Sequence, residues 1–191
     1  DLVPVGEDQR QHLELTRDIA IRFNNAYGKT FTIPDGYIPK IGGRVMSLSE
    51  PEKKMSKSDD NENAYISILD DPKVILKKFK RAVTDSDTEN LIRIAPEKPG
   101  VSNLIHIYSA LTGKSTADVE AEFAGQGYGK FKPAVAEVVI GTFEPIQKTF
   151  AALMDDKAML DAMMKQGAEQ AQTVANETLK HVSKKMGLFK I

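Results

Sequence analysis

Asp1-Leu2-Val3-Pro4-Val5 runs into Gly6, then Glu7-Asp8-Gln9, then Arg10-Gln11-His12-Leu13-Glu14-Leu15-Thr16-Arg17-Asp18-Ile19-Ala20-Ile21-Arg22-Phe23. The first five residues form a short apolar run that a glycine ends. Beyond it Leu13, Thr16, Ala20 and Phe23 recur at spacings of three and four, with Leu15 and Ile19 widening the stripe. That spacing predicts an amphipathic helix. Tyr27-Gly28 is its expected end, because glycine suits the left-handed position after a last helical turn. A strand, a glycine and a helix in this order make half of a parallel α/β unit.

Working outward, residues 28–63 are dense in turn formers, among them Pro34, Gly36, Pro39, Gly42, Gly43 and Pro51, and hold one short strand candidate, Arg44-Val45-Met46. Helical periodicity takes over after Asn63. Asp71-Pro72 supplies a capping side chain and a proline at the first helical position, opening a helix over 73–83. Further helices are expected over 100–111, after the capping-box pair Ser115 and Asp118, and from Phe131 to Leu153 through Pro145. A last helix over 157–186 carries a seam of Ala168, Ala171, Ala175, Leu179, Val182 and Met186. The fold class is therefore mainly α: an α/β remnant over 1–70, followed by a helical bundle over 71–191.

Composition narrows the functions on offer. A formal net charge of -1 leaves no global pull toward nucleic acid or membrane, so any RNA contact must rest on a local patch. The absence of cysteine excludes disulfides and thiolate metal sites and is compatible with a cytoplasmic protein. His12, His106 and His181 show no metal-ligand spacing, and no apolar run reaches the length of a membrane span. The chain begins Asp1-Leu2-Val3, without an initiator methionine, and reads as the middle of a longer protein.

Lys54-Met55-Ser56-Lys57-Ser58 carries the chemistry. Two lysines flank small hydroxyl residues on a turn-rich loop, a set that presents mobile ammonium groups, hydroxyls and backbone N–H groups to a polyphosphate. Lysine's compact charge on a flexible stem can follow oxygens whose charge grows during reaction. The loop lacks the glycine pattern of a Walker A motif. A second constellation, Val5-Gly6-Glu7-Asp8-Gln9, stands where a strand's carboxyl end meets a helix, the place where open α/β sheets bind nucleotides. Gly6 allows a ribose or phosphate close to the backbone, Asp8 can accept from ribose hydroxyls, and Gln9 can donate and accept. Glu7 and Asp8 also offset the positive helix end whatever else they do.

The lysine loop resembles the K-M-S-K-S signature of class I aminoacyl-tRNA synthetases at all five positions. The string P-V-G-E-D-Q-x-x-H-L-E-L-x-R-D-I-A-x-R-F-N, Pro4 to Asn24, resembles the tryptophanyl-tRNA synthetases, as does Lys98-Pro99-Gly100-Val101-Ser102-Asn103-Leu104. The resemblance implies a Rossmann-like catalytic remnant followed by an anticodon-binding helical domain. It implies an ATP-dependent ligase that activates L-tryptophan and charges tRNA(Trp), with Mg2+ accompanying the ATP, and a homodimer in the full-length enzyme. Lys54 and Lys57 would be the catalytic charges, Ser56 and Ser58 phosphate donors, and Met55 a neighbour of adenine. Gly6, Glu7 and Asp8 would line the ATP site, the backbone of Val45 would meet adenine, and Gln9, Val3 and Val5 would face tryptophan.

The family's first signature, H-x-G-H, is nowhere in these residues, so this chain alone is expected to show little or no aminoacylation. Tyrosyl-tRNA synthetase is the alternative within the class; a non-catalytic RNA-binding helical module is the alternative outside it. Lys73, Lys77, Lys78, Lys80 and Arg81 crowd one helix, which serves either phosphate binding or a solvated face. Gly125-Gln126-Gly127-Tyr128-Gly129-Lys130 reads as a helix-to-helix connector, and Thr84-Asp85-Ser86-Asp87 as a loop or cap. Tyr108 and Phe131 read as core, His12 as surface and His106 as packed within the bundle.

Overall fold

The computed structural model describes residues 1–38, 44–86 and 91–188. Two strands and six helices are formed among them: β1 (Leu2–Pro4), α1 (Arg10–Tyr27), β2 (Asp35–Tyr37), α2 (Pro72–Arg81), α3 (Pro99–Thr112), α4 (Thr116–Glu122), α5 (Tyr128–Asp155) and α6 (Lys157–Lys185). Contacts divide the chain differently from the 1–70 and 71–191 segments expected from composition. Asp1–Ile38 joins Phe150–Ile191 in one compact unit, and Pro39–Thr149 forms the other.

In the first unit β1 and β2 pair in parallel, Leu2 opposite Asp35 and Pro4 opposite Tyr37, with α1 as the connection. This is the predicted half of an α/β unit with its second strand added. Three devices hold the return. The Asn24 carboxamide accepts from the Thr30 and Phe31 N–H groups and donates to the Phe31 carbonyl. Arg17 pairs with Asp35 and donates to the Pro34 carbonyl. Gly36 leaves room for Leu13, since a Cβ there would lie 2.9 Å from its Cδ2. Gly28 ends α1 with φ 79° and ψ 162°, a positive-φ extended conformation rather than the expected left-handed helical one. Glycine is favoured either way, because a Cβ is strained at that φ.

The stripe on α1 is narrower than the sequence suggests. Ala20 is buried and Leu13 and Phe23 are half-buried, but Leu15 and Ile19 lie exposed. The seam of α6 is likewise uncovered, and only Val182 of its members is half-buried. Lys185 Nζ donates to the Gly28 and Lys29 carbonyls, at 3.2 and 2.6 Å.

The core lies in the second unit, where Ile75 and Phe79 of α2, Val101, Leu104 and Ile105 of α3, and Phe131 and Val135 of α5 are fully buried together. Tyr108 meets Phe123 edge to face at a centroid distance of 5.3 Å, a favoured aromatic geometry, and Phe123 meets Phe131 at a tilt at 4.9 Å. Asp71 caps α2 by accepting from Lys73 N–H, and the predicted Ser115–Asp118 capping box is formed in both directions. Gly125 and Gly127, both at φ 71°, make the expected connector into α5, which continues through Pro133 and Pro145.

Candidate active site

The lysine loop is built on a single antiparallel bridge, Met46 opposite Lys54. Ser47 N–H donates to the Lys53 carbonyl at 2.9 Å and Met55 N–H to the Val45 carbonyl at 3.0 Å, so hydrogen bonds flank Lys54 on both sides. The predicted strand Arg44–Met46 is therefore reduced to one bridging residue. Val45, whose backbone is expected to meet adenine, accepts from Met55 N–H through its carbonyl. Met55 is half-buried against the core and roots the loop there.

Beyond Met55 the chain turns. Ser56 and Ser58 Oγ atoms stand 3.0 Å apart, Ser58 N–H also reaches Ser56 Oγ, and Asp59 N–H donates to the Ser56 carbonyl. Asp59 and Asn61 each accept from the N–H two residues on. These local turns fix the path of the loop while the side chains of Lys54, Ser56, Lys57 and Ser58 stay exposed. Two lysines and two hydroxyls thus share one exposed turn, a set whose chemistry suits an anion. A cleft of about 390 Å³ in the same unit lies beside the preceding turn, lined by Glu50, Lys53, Thr84, Asp85 and Glu97, and not by Lys54 or Lys57.

The other predicted site residues cluster in the first unit. Val3 lies within β1, and Val5 N–H donates to the Tyr37 carbonyl at 3.1 Å. Gly6 is extended at φ -77°, a conformation open to any residue, so its backbone angle does not require glycine. Glu7, Asp8 and Gln9 form one 3-10 turn leading into α1, all exposed, with Gln9 Nε2 donating to Asp8 Oδ2 at 3.0 Å. The Arg10 guanidinium clasps Glu7 through two bonds and holds its carboxyl below the usual carboxylate range. Two site groups are thus gathered, one in each unit.

The family model described as tRNA synthetases class I (W and Y) matches residues 1–144. The chain belongs to this family. It is 53% identical over 187 residues to a tryptophan–tRNA ligase of Clostridium tetani, and 52% identical over 189 residues to that of Bacillus subtilis. These alignments cover 98% of this chain but 55% and 56% of the relatives, so the chain spans about half the length of the curated relatives it matches. A solved tryptophanyl-tRNA synthetase from Mycoplasma pneumoniae superposes with a TM-score of 0.87 at 35% identity, over 99% of this chain and 58% of that one. The fold class read from the sequence, a class I synthetase remnant with helices after it, stands.

Among the described residues no group of three or more His, Cys, Asp or Glu is placed to hold a metal ion, and no helix is long and apolar enough to cross a membrane. Two features of the second unit escaped the sequence reading. Asp85, expected in a loop or cap, accepts from Lys98 Nζ at 3.0 Å and from the Tyr128 hydroxyl at 2.7 Å, joining the segment after α2 to the starts of α3 and α5. Asn103, only 3% exposed on α3, bonds both backbone groups of Met46. A lone carboxamide among Val101, Leu104 and Ile105 was the available signal, because a buried polar side chain demands a partner.

Proposed function

We propose that this chain supplies the lysine-loop portion of an enzyme that activates L-tryptophan with ATP and transfers it to tRNA(Trp). The carrying observation is the five-residue Lys54–Ser58 loop, whose first lysine is braced by backbone bonds on both sides while its charges face outward. In the reaction the tryptophan carboxylate attacks the α-phosphorus of ATP. The new carboxyl–phosphorus bond forms as the bond to the β-phosphate oxygen breaks, and the electron pair leaves with pyrophosphate. Lys54 and Lys57 offset the charge that grows on the departing oxygens, and Ser56 and Ser58 donate to phosphate.

Gly6, Glu7 and Asp8 meet the nucleotide at the head of α1; Gln9, Val3 and Val5 face the amino acid; and the Val45 backbone lies toward adenine. Mg2+ arrives as the counter-ion of the ATP phosphates, which it usually holds with few protein ligands, and the described residues offer it no cluster of their own. A homodimer and a cytoplasmic setting accompany this reading. Tryptophan is favoured over tyrosine by the relatives at 52–53% identity, whereas a tyrosyl-tRNA synthetase from Aeropyrum pernix, 23% identical, shares the fold alone.

The RNA partner is assigned to α2. Lys73, Lys77, Lys80 and Arg81 fall at helical spacing on one face and line a depression of about 410 Å³ with Leu76. Cations set in such a row suit a phosphodiester backbone.

The test is ATP–pyrophosphate exchange with tryptophan. A full-length enzyme carrying these residues should lose about 10²-fold or more in kcat on K54A or K57A, the scale at which removed transition-state charge stabilisation registers. The chain by itself should show little or no exchange. Near-native exchange by both variants would refute the lysine assignment.

A further inference from the structure

The Met46–Lys54 bridge has an outer side. In an antiparallel pair of the non-hydrogen-bonded kind, the bonds come from the flanking residues, and the central residue's own N–H and C=O point away, toward where a third strand would lie. Ser47–Lys53 and Met55–Val45 are those flanking bonds. The outward groups of Met46 are both taken by one side chain: its N–H donates to Asn103 Oδ1 at 2.9 Å, and its carbonyl accepts from Asn103 Nδ2 at 2.8 Å. Asn103 does the work of a one-residue third strand, delivered from the second turn of a helix.

Few side chains can do this. The pair requires a donor and an acceptor on one rigid fork at short reach, which a carboxamide alone supplies; a carboxylate would set an oxygen against the Met46 carbonyl. The site is sealed as well as specific. Asn103 is 3% exposed between fully buried Val101 and Leu104, so water cannot readily replace a lost bond. Leu48, two residues beyond Met46, accepts from Val83 N–H and donates to the Ala64 carbonyl, so this short segment is held from several directions and Met46 has little freedom to drift.

We propose that Asn103 is a positioning residue for adenylate formation. Through Met46 it fixes the height and tilt of Lys54, and so the place from which that lysine meets the leaving pyrophosphate. The proposal rests on the catalytic reading of the lysine loop. It adds that the precision of that loop is set by a helix residue 49 positions away from Lys54 in the sequence. Asn103 touches neither substrate in this reading and acts only through the backbone.

The test uses the full-length enzyme with N103A, N103S, N103D, K54A and the double variant N103A/K54A. Each is assayed for tryptophan-dependent ATP–pyrophosphate exchange well below its own melting temperature. A displacement of about 1 Å at a reacting group can cost about 10²-fold. N103A and N103D should therefore lower kcat by about 10- to 100-fold, N103S less, with the KM for tryptophan unchanged. Because Asn103 acts through Lys54, N103A/K54A should be no slower than K54A alone. Should N103A fail to fold, N103S and N103D carry the test.

Loss of activity only in proportion to unfolded protein, or a multiplicative loss in the double variant, would overturn the proposal and leave Asn103 a purely structural residue. Full exchange by K54A would instead defeat the underlying reading of the loop, whatever Asn103 does.

Discussion

Lys78 Nζ lies 2.7 Å from Asp70 Oδ2, with both side chains largely withdrawn from solvent. The same ammonium stands 5.0 Å from the centre of the Tyr65 ring. This contact sorts the cations of α2. Lys78 is turned inward and neutralised, while Lys73, Lys77, Lys80 and Arg81 remain on the exposed face. The crowd of charges in the sequence is thus two populations with different work.

Replacing Lys77 and Lys80 by serine should weaken tRNA binding and flatten its salt dependence. Two lost phosphate contacts reduce the slope of log affinity against log salt by about 1.4–1.8. K78M should leave that slope unchanged and lower stability by about 3 kcal/mol, because it takes the cation from a mostly buried Asp70 that keeps the Ser67 N–H. Filter binding across a salt series and urea melts separate the two effects. Equal slopes for wild type and K77S/K80S would remove α2 from the RNA interface.

Gly100 and Gly141 give opposite expectations for the same substitution. A Cβ on Gly100 would stand 2.0 Å from the Val83 carbonyl oxygen, a backbone atom, whereas one on Gly141 meets nothing within 4 Å. G100A should destabilise the chain by about 3 kcal/mol through overpacking. G141A, inside α5, should stabilise it by about 0.5–1 kcal/mol through helix propensity. Thermal melts of the two variants check both signs at once.

The Tyr128 hydroxyl donates to Asp85 Oδ2 at 2.7 Å and receives Lys98 Nζ at 3.2 Å. Burial first, and then the bond to Asp85, push its ionisation above the ordinary tyrosine value. The folded state therefore prefers the neutral phenol. The stability this confers is whole below about pH 10, where unfolded tyrosine ionises, and is lost as pH rises through the folded value. The stability gap between wild type and Y128F should shrink above about pH 10. Titrating groups that do not touch Tyr128 cancel in that difference, and a gap that widens with alkali would contradict the assignment.

Much of this architecture was legible in local pattern. The β1–Gly6–α1 succession, the proline-led start of α2, the Ser115 capping box and the helical spans all follow from short-range rules, and the observed bounds lie within a few residues of expectation. β2 was not legible, because Asp35-Gly36-Tyr37 has the composition of a turn and becomes a strand only by pairing with residues more than 30 positions earlier. The bond from Met55 N–H to the Val45 carbonyl was not legible either. Asn103 and Asp85 were missed for the same reason: their partners are set by the tertiary fold, which no local period encodes. Composition misled on Leu15 and Ile19, apolar residues that this chain leaves in solvent.

The first unit joins Asp1–Ile38 to Phe150–Ile191, and Lys185 closes it onto the Lys29 carbonyl across 156 positions. Synthesis on a ribosome runs from the amino end, and domains generally fold as they emerge. The continuous stretch through Thr149 is made before Phe150–Ile191, so it can finish its core while Asp1–Ile38 still lacks its partner segment. A translational pause before α6 would hold a nascent chain with that core built and the first unit still open.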